Sequence, residues 1–91
     1  MNAERTVELV PEAGLHARPA AKFVEAVQDY EADVEVGPPD GDLVPAASMI
    51  AITSLGAGQG DELRIVAEGP DAEAAVEELA DILTTPEAEL V

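Results

Sequence analysis

The sequence predicts one α+β domain over residues 1–91, in which three helices cover one face of a four-stranded, mainly antiparallel sheet. Several short segments alternate apolar and polar residues, as half-buried strands do. Two longer segments repeat apolar residues at helical spacing, and clusters of glycine and proline separate the segments. Taken in chain order, they give β-α-β-β-α-β-α. Because each helix must bury its apolar stripe, helices gathered on one face of the sheet satisfy this pattern.

The composition limits the kinds of site that the chain can hold. A domain of this size buries only a little over ~60% of its unfolded surface, which leaves no room for a deep cavity. The absence of cysteine excludes disulfides, thiolate catalysis and cysteine-ligated zinc, and a single histidine argues against a histidine-rich metal site. We therefore expect no metal and no cofactor, and we expect any reaction to take place at the surface.

The sequence gives no sign of export or membrane insertion. Its N-terminus lacks a basic segment followed by an apolar run, and no stretch of about 18 consecutive apolar residues occurs. We expect a cytoplasmic protein that acts as a monomer.

The charge of the chain narrows the choice of partner. Twenty acidic residues against four basic ones give a net charge of -16, which excludes nucleic acid and anionic membranes as partners. A hydrophobic content of 47% still supplies a core, so the carboxylates must lie on the surface. With one lysine only, this surface is similar to those of halophilic proteins, where salt screens the repulsion between carboxylates. The alternative is an ordinary acidic protein.

The first strand and the first helix flank a loop that contains proline and glycine. Residues 4–10 alternate and predict a half-buried strand, residues 11–14 end it, and a helix is predicted over residues 17–29. The apolar stripe of this helix comprises Ala20, Phe23, Val24 and Val27, and the solvated stripe comprises Arg18, Lys22, Glu25 and Asp29. Lys22 shares a face with Arg18, where it either adds to the local positive field or only keeps the surface soluble.

A hairpin and a short helix follow. Residues 33–37 alternate, a Pro-Pro-Asp-Gly turn comes next, and residues 42–44 make a short strand. Pro45 cannot donate to a sheet ladder, so it should end this strand at an edge of the sheet. A short helix is predicted over residues 48–54, with Ser48 as its N-cap.

The last third of the chain contains a glycine-rich segment, a strand and a helix. Residues 56–60 are too rich in glycine to continue the short helix, and they lack the strand before and the Gly-Lys-Ser/Thr ending of a nucleotide-binding loop. Leu63, Ile65 and Ala67 alternate with their neighbours in the fourth strand. The last helix presents Ala72, Ala75, Val76, Leu79 and Leu83 on one face and stops at Thr84-Thr85-Pro86.

The candidate site lies between Gly14 and Ala20, in a stretch that holds the only histidine and one of the four basic residues. Pro19 indicates a helix start, because proline lacks the N–H that a first turn leaves unpaired. His16 therefore lies at a helix N-terminus, where free N–H groups and the helix dipole favour an anion, and Arg18 adds a planar set of donors. These groups together suit a phosphoryl group. The alternative is a histidine that serves only as a cap or a surface residue.

This stretch resembles the active-site segment of the HPr family, the histidine phosphocarriers of the phosphoenolpyruvate-dependent sugar phosphotransferase system. The family motif is Gly-hydrophobic-His-Ala-Arg-Pro-Ala. A second family segment occurs at the expected distance downstream, with Ser-Met-Ile at residues 48–50 and Ser-Leu-Gly-Ala-Gly-Gln-Gly-Asp-Glu at residues 54–62. The similarity extends over nearly the whole chain. It implies an open-faced β-sandwich, and it supplies the strand order that the residue pattern leaves open.

The resemblance implies that His16, with Arg18 beside it, accepts a phosphoryl group on Nδ1 from enzyme I and passes it to the EIIA domain of a sugar transporter. The protein would then be a carrier between enzymes rather than a turnover enzyme. Neutral imidazole suits this task, because it is nucleophilic near neutral pH and its N–P bond stays labile. The docking surface for both partners would comprise Ala17, Ala20, Met49, Ile50 and Ala51. Ile52 and Leu55 are assigned to the core. Ala51 and the scarcity of basic residues depart from the family pattern and argue against docking by charge.

Two alternatives stay open at this point. The first is a regulatory binding module that signals through phosphorylation at His16 or at Ser48. Ser48 matches the serine that a regulatory kinase modifies in some branches of the family, although its role as an N-cap also explains it. The second is a phosphocarrier for dihydroxyacetone phosphorylation instead of sugar uptake.

Overall fold

The computed structural model describes residues 2–90 and confirms the predicted fold class. Three α-helices and a four-stranded sheet follow one another in the predicted order, and a short 3-10 helix that we had not predicted comes last. The elements are β1 (Asn2–Glu8), α1 (Ala17–Val27), β2 (Asp33–Gly37), β3 (Val44–Pro45), α2 (Met49–Thr53), β4 (Glu62–Glu68), α3 (Ala72–Leu83) and the 3-10 helix Glu87–Glu89.

The sheet has the strand order β1-β4-β2-β3, and all three pairs are antiparallel. β4 lies in the interior of the sheet, between β1 and β2. Its alternation is as predicted, because Leu63, Ile65 and Ala67 are buried whereas Glu62 and Glu68 are exposed. The buried residues of β4 lie on the face that the helices cover, and the opposite face of the sheet is open.

Three predicted boundaries were wrong. β1 covers Asn2–Glu8 instead of residues 4–10, and Leu9 beyond it bonds instead to the backbone of the loop before β4. α1 ends at Val27 rather than at residue 29, because the N–H groups of Asp29 and Tyr30 reach back only three residues, which tightens the last turn. The third strand is Val44–Pro45, not residues 42–44, since only these two residues pair with β2. As predicted, it is an edge strand that ends at Pro45.

The core lies between the sheet and the helices. Phe23 on α1 and Leu79 on α3 are completely buried, and so is Ile52 on α2, as predicted. Leu55 packs against the core but is only partly buried. The predicted stripe of α1 is confirmed except that Val24 is half-buried.

Side chains also tie α1 to α3. Tyr30, just after α1, donates its hydroxyl hydrogen bond to the Glu78 carboxylate on α3. This bond, with partial burial and the nearby negative charges, raises the pKa of Tyr30 to about 12. Both carboxylate oxygens of Asp71, the N-cap of α3, accept backbone N–H bonds of 2.9 Å from Glu31 and Ala32. These bonds connect the segment that follows α1 to the start of α3.

The surface carries the acidic charge, as the composition predicts. No charged residue among residues 2–90 is buried, and Arg64 forms an ion pair with Glu4 at 3.8 Å. On the open face of the sheet, like charges lie directly opposite one another: Glu8 faces Glu62 and Asp33 faces Glu68. Such pairs repel each other and destabilise the folded state at low salt. In the described part of the chain, no helix is both long enough and apolar enough to span a membrane.

Candidate functional site

The candidate site begins with the loop of residues 9–16, which we call the acceptor loop, between β1 and α1. Gly14 adopts a left-handed conformation with φ of 73°, where a glycine is favoured. Leu15 follows with a completely buried side chain, and its N–H donates a 3.1 Å hydrogen bond to the Ala57 carbonyl. Burial of Leu15 fixes the chain immediately before His16.

The glycine-rich segment of residues 56–60 supports the acceptor loop. A Cβ on Gly14 would lie 2.5 Å from the Ala57 carbonyl oxygen, so the two backbones touch. Gln59 Nε2 donates a 3.1 Å hydrogen bond to the Val10 carbonyl, and the Gly60 N–H donates one of 2.8 Å to Leu9. The glycine-rich segment thus packs against the acceptor loop and fixes its position. The density of glycine in residues 56–60 is the feature of the sequence that indicates such a close backbone contact.

His16 is exposed and is the N-cap of α1, as predicted. Its backbone is extended, with φ of -135° and ψ of 167°, and its imidazole makes no capping hydrogen bond. The ring makes no hydrogen bond to any other residue of the range 2–90. As at every helix start, the N–H groups of Ala17 and Arg18 have no intrahelical partner. The imidazole and these amides share one exposed corner of the molecule.

The first turn of α1 is strained at Ala17. Its φ of 49° is left-handed, and Ala17 is the described residue other than glycine with a positive φ. This conformation costs a residue with a Cβ about 1–2 kcal/mol. The helix begins at Ala17, as predicted, and Pro19 is buried two residues further into the first turn. Strain of this kind persists only where the surrounding structure imposes it, and it is concentrated at functional sites.

Arg18 lies on the exposed side of α1, as predicted, and its guanidinium contacts the C-terminal segment. Nη1 donates a 3.3 Å hydrogen bond to the Leu90 carbonyl. Among the described residues no carboxylate forms an ion pair with this guanidinium. Glu87 comes close to the same groove, but its Oε1 accepts a 3.1 Å bond from the Ala13 N–H. No local sequence pattern indicates either contact, because they join residues more than 70 positions apart.

The predicted docking surface is only partly exposed. Ile50 and Met49, at the start of α2, have exposed fractions of 82% and 38% and are the exposed large apolar residues among those described. Ala17 is exposed and Ala51 is half-buried. Ala20 is completely buried, so its place in the docking surface was wrong: it lies on the stripe of α1 that packs into the core.

Ser48 and Lys22 lie near this surface. Ser48 is the N-cap of α2, as predicted, and its Oγ accepts a 3.2 Å hydrogen bond from the Ala51 N–H. Its side chain is half-buried and directly precedes Met49. Lys22 is half-buried on α1 and pairs with no carboxylate of the described chain. Residues 2–90 contain no group of three or more histidine, aspartate or glutamate side chains placed to hold a metal ion.

Comparison with known proteins gives a consistent result. The family model described as the PTS HPr component phosphorylation site matches residues 3–85. The phosphocarrier protein HPr of Haloferax volcanii is 63% identical over 86 residues, which cover 93% of this chain and 97% of that protein. HPr of Streptomyces coelicolor is 43% identical over 81 residues, covering 89% and 87%. The solved structure of HPr-C-His from Thermoanaerobacter tengcongensis matches with a TM-score of 0.88 at 37% identity, covering 98% of this chain and 99% of that one.

Proposed function

The chain belongs to the HPr family of phosphocarriers of the phosphotransferase system, and we propose that His16 accepts a phosphoryl group from phosphorylated enzyme I and passes it to an EIIA domain. The observation that carries this proposal is the exposed imidazole of His16 at the start of α1, two residues from Arg18. A group that must meet two different partners in turn has to be reachable from outside, and His16 is.

Phosphoryl transfer requires little of the protein beyond the correct position of the His16 imidazole. Nδ1 of a neutral His16, with its proton on Nε2, attacks the phosphorus atom of the donor. The bond between the phosphoryl group and the donor breaks, and its electron pair stays with the donor. In the second step the acceptor on EIIA attacks the same phosphorus, and the electron pair of the N–P bond returns to Nδ1. The phosphoryl group is conserved throughout, so no water is consumed.

Arg18 and the free amides of α1 supply the stabilisation of charge. The guanidinium and the N–H groups of Ala17 and Arg18 are hydrogen-bond donors for the oxygens of the phosphoryl group as it arrives. All of them lie at the surface, where water weakens their effect. Moderate stabilisation of the phosphoryl group suits a carrier, because binding the phosphorylated state too tightly would slow the second transfer.

The docking surface consists of Met49 and Ile50 with Ala17 and the half-buried Ala51. Ile50 has an exposed fraction of 82% and lies next to Met49, so the two residues form an exposed apolar patch that a partner can cover. Because both partners must bring a reacting atom to His16, they use one surface in turn. We also propose that the protein works in the cytoplasm as a monomer, since one exposed histidine serves one partner at a time.

A second candidate function rests on the position of Ser48. Its half-buried hydroxyl caps α2 and directly precedes the exposed residues Met49 and Ile50. A phosphate on Ser48 would add charge at the edge of the docking surface, so that docking would respond to phosphorylation. In this case the carrier would also act as a regulatory module.

Onward transfer tests the proposed function. The protein is phosphorylated with phosphoenolpyruvate and enzyme I, freed of both, and mixed with EIIA domains of a sugar system and of a dihydroxyacetone system in separate reactions. We expect the phosphoryl group to leave the carrier and appear on one of the two domains, and that domain identifies the system served. If the phosphorylated protein transferred to neither domain, a role as shuttle would be refuted and the regulatory module favoured.

A further inference from the structure

We infer that residues 86–90, which we call the C-terminal strap, hold the phosphoryl-accepting segment in its working geometry, and that Glu87 is a positioning residue for the phosphocarrier reaction. This inference rests on the proposed function of His16. The strap contains the 3-10 helix Glu87–Glu89, and no family motif in the sequence points to it. The structure places it against the acceptor loop and the start of α1.

The contacts of the strap bracket His16 on both sides. Glu87 Oε1 accepts the N–H of Ala13, three residues before His16, at 3.1 Å. The Leu90 carbonyl accepts Nη1 of Arg18, two residues after His16, at 3.3 Å. The first contact holds the backbone of the acceptor loop before His16, and the second orients the guanidinium of Arg18 after it.

The strap itself is anchored to the domain. The Leu90 side chain is 6% exposed, which is unusual for a residue so near the end of the described chain. Within the strap, the Glu89 N–H bonds to Pro86 at 2.9 Å and the Leu90 N–H to Glu87 at 3.0 Å. The buried leucine and the hydrogen bonds within the turn fix the strap against the rest of the domain.

The acceptor loop needs this support on the side of the strap. Its other side rests on the glycine-rich segment through Gly14 and Leu15. Glu12 and Ala13 are exposed, and among residues 2–90 the Ala13 N–H bonds only to Glu87. The strained backbone of Ala17 follows within four residues, and strain persists only where neighbours impose it.

The choice of partners keeps the charge of Arg18 available. The Glu87 carboxylate accepts a hydrogen bond from a backbone N–H, whereas the Arg18 guanidinium donates one to a neutral carbonyl. A carboxylate on Arg18 would neutralise the guanidinium and compete with the phosphoryl group for it. A neutral carbonyl orients the guanidinium, and a charged phosphoryl oxygen displaces it readily because hydrogen bonds between charged groups are about twice as strong.

Three variants test the role of Glu87. Glu87→Ala removes the acceptor of the Ala13 N–H, Glu87→Gln keeps an oxygen in the same place without the charge, and Glu89→Ala is the matched control on an exposed residue of the same strap. We measure the rate of phosphoryl uptake from enzyme I and phosphoenolpyruvate, and the hydrogen exchange of the Ala13 amide. Glu87→Ala should lower the rate roughly three- to tenfold, the equivalent of one hydrogen bond, and should speed the exchange of that amide.

The outcomes separate the possible explanations. Glu87→Gln and Glu89→Ala should both react at the wild-type rate, since neither removes the bond to Ala13. A normal rate for Glu87→Ala, or an equal loss in Glu89→Ala, would overturn the inference. If Glu87→Gln were as slow as Glu87→Ala, charge rather than position would be responsible, and the inference would also be wrong. Failure of the wild-type protein to take up phosphate would instead refute the proposed function. If Glu87→Ala unfolds at the assay temperature, two measurements still test the inference. They are the rate of phosphoryl uptake by Glu87→Gln and the hydrogen exchange of the Ala13 amide in the wild-type protein.

Discussion

Gly14 packs directly against the backbone of Ala57, so that a Cβ atom on Gly14 would lie 2.5 Å from the Ala57 carbonyl oxygen. The same atom would be 2.9 Å from the Cα of Gly58. Neither neighbour is the end of a flexible side chain, so neither can move aside cheaply. With φ of 73°, Gly14 also has a conformation that disfavours any other residue. This contact fixes the distance between the acceptor loop and the glycine-rich segment, and therefore the position of His16.

The first prediction is that Gly14→Ala destabilises the protein by roughly 2–5 kcal/mol, since it combines left-handed strain with a backbone overlap. Gly56→Ala is the matched control, because Gly56 has a similar φ of 66° but a Cβ there would meet no atom within 4 Å. It should cost only about 1 kcal/mol. Urea unfolding of the two variants measures the difference, and equal losses would show that the contact with Ala57 is not tight.

The second prediction concerns Arg18. Arg18→Ala should fold normally, because the side chain is exposed and has one weak contact, but it should accept phosphate roughly ten- to a hundredfold more slowly. The loss corresponds to charge-assisted hydrogen bonds with the phosphoryl oxygens. Lys22→Ala, on the same helix, is the control and should have a much smaller effect. Stopped-flow or quench kinetics with enzyme I give both rates; an Arg18→Ala variant as fast as wild type would exclude Arg18 from the site.

The third prediction is a strong dependence of stability on salt. At about 0.01 M salt the Debye length is ~30 Å, close to the longest dimension of the molecule, 32 Å, so most of the net charge of -16 acts at once. At about 1 M it falls to ~3 Å. The melting temperature should therefore rise steeply with potassium chloride. Glu62→Gln, which removes the charge opposite Glu8, should be more stable than wild type at low salt and lose this advantage at high salt.

A melting temperature that does not change with salt would mean that the acidic surface is incidental. In that case the similarity to HPr of the halophile Haloferax volcanii would reflect the family alone and not an adaptation to salt.

The features of the molecule that the sequence could predict depend on local interactions. The N-cap role of Ser48 follows from its own position and that of Ala51, and the alternation of β4 follows from its own residues. The positions of His16 and Arg18 at a helix start also follow from a few consecutive residues.

Other features depend on contacts between distant residues, which no local pattern contains. The bonds from Glu87 to Ala13 and from Leu90 to Arg18 span 74 and 72 positions. The left-handed φ of Ala17 opposes the preference of alanine, so local propensity predicts the reverse. The position of Ala20 along the helix is compatible both with the apolar stripe of α1 and with the docking surface. Only the packing of α1 shows that Ala20 is buried.

The fourth prediction concerns Ser48. Ser48→Asp should keep its melting temperature, because aspartate caps a helix as well as serine does. It should nevertheless accept phosphate more slowly at His16, since it places a charge beside the apolar surface of Met49 and Ile50 that must be desolvated for docking. Ser48→Ala is the control: it loses the cap, about 1 kcal/mol of stability, but keeps the docking surface neutral. A normal rate for Ser48→Asp would refute the regulatory role.

The fifth prediction is the acceptor itself. Intact-protein mass spectrometry, after incubation with enzyme I and phosphoenolpyruvate, should show the addition of one phosphoryl group that acid removes and alkali does not, as expected of phosphohistidine. Peptide mapping should place it on His16. His16→Ala should fold as the wild type does, because the side chain is exposed and makes no capping bond, and it should remain unmodified. Phosphorylation of the His16→Ala variant under the same conditions, or an acid-stable modification at another residue of the wild type, would contradict the assignment of His16 as the phosphoryl carrier.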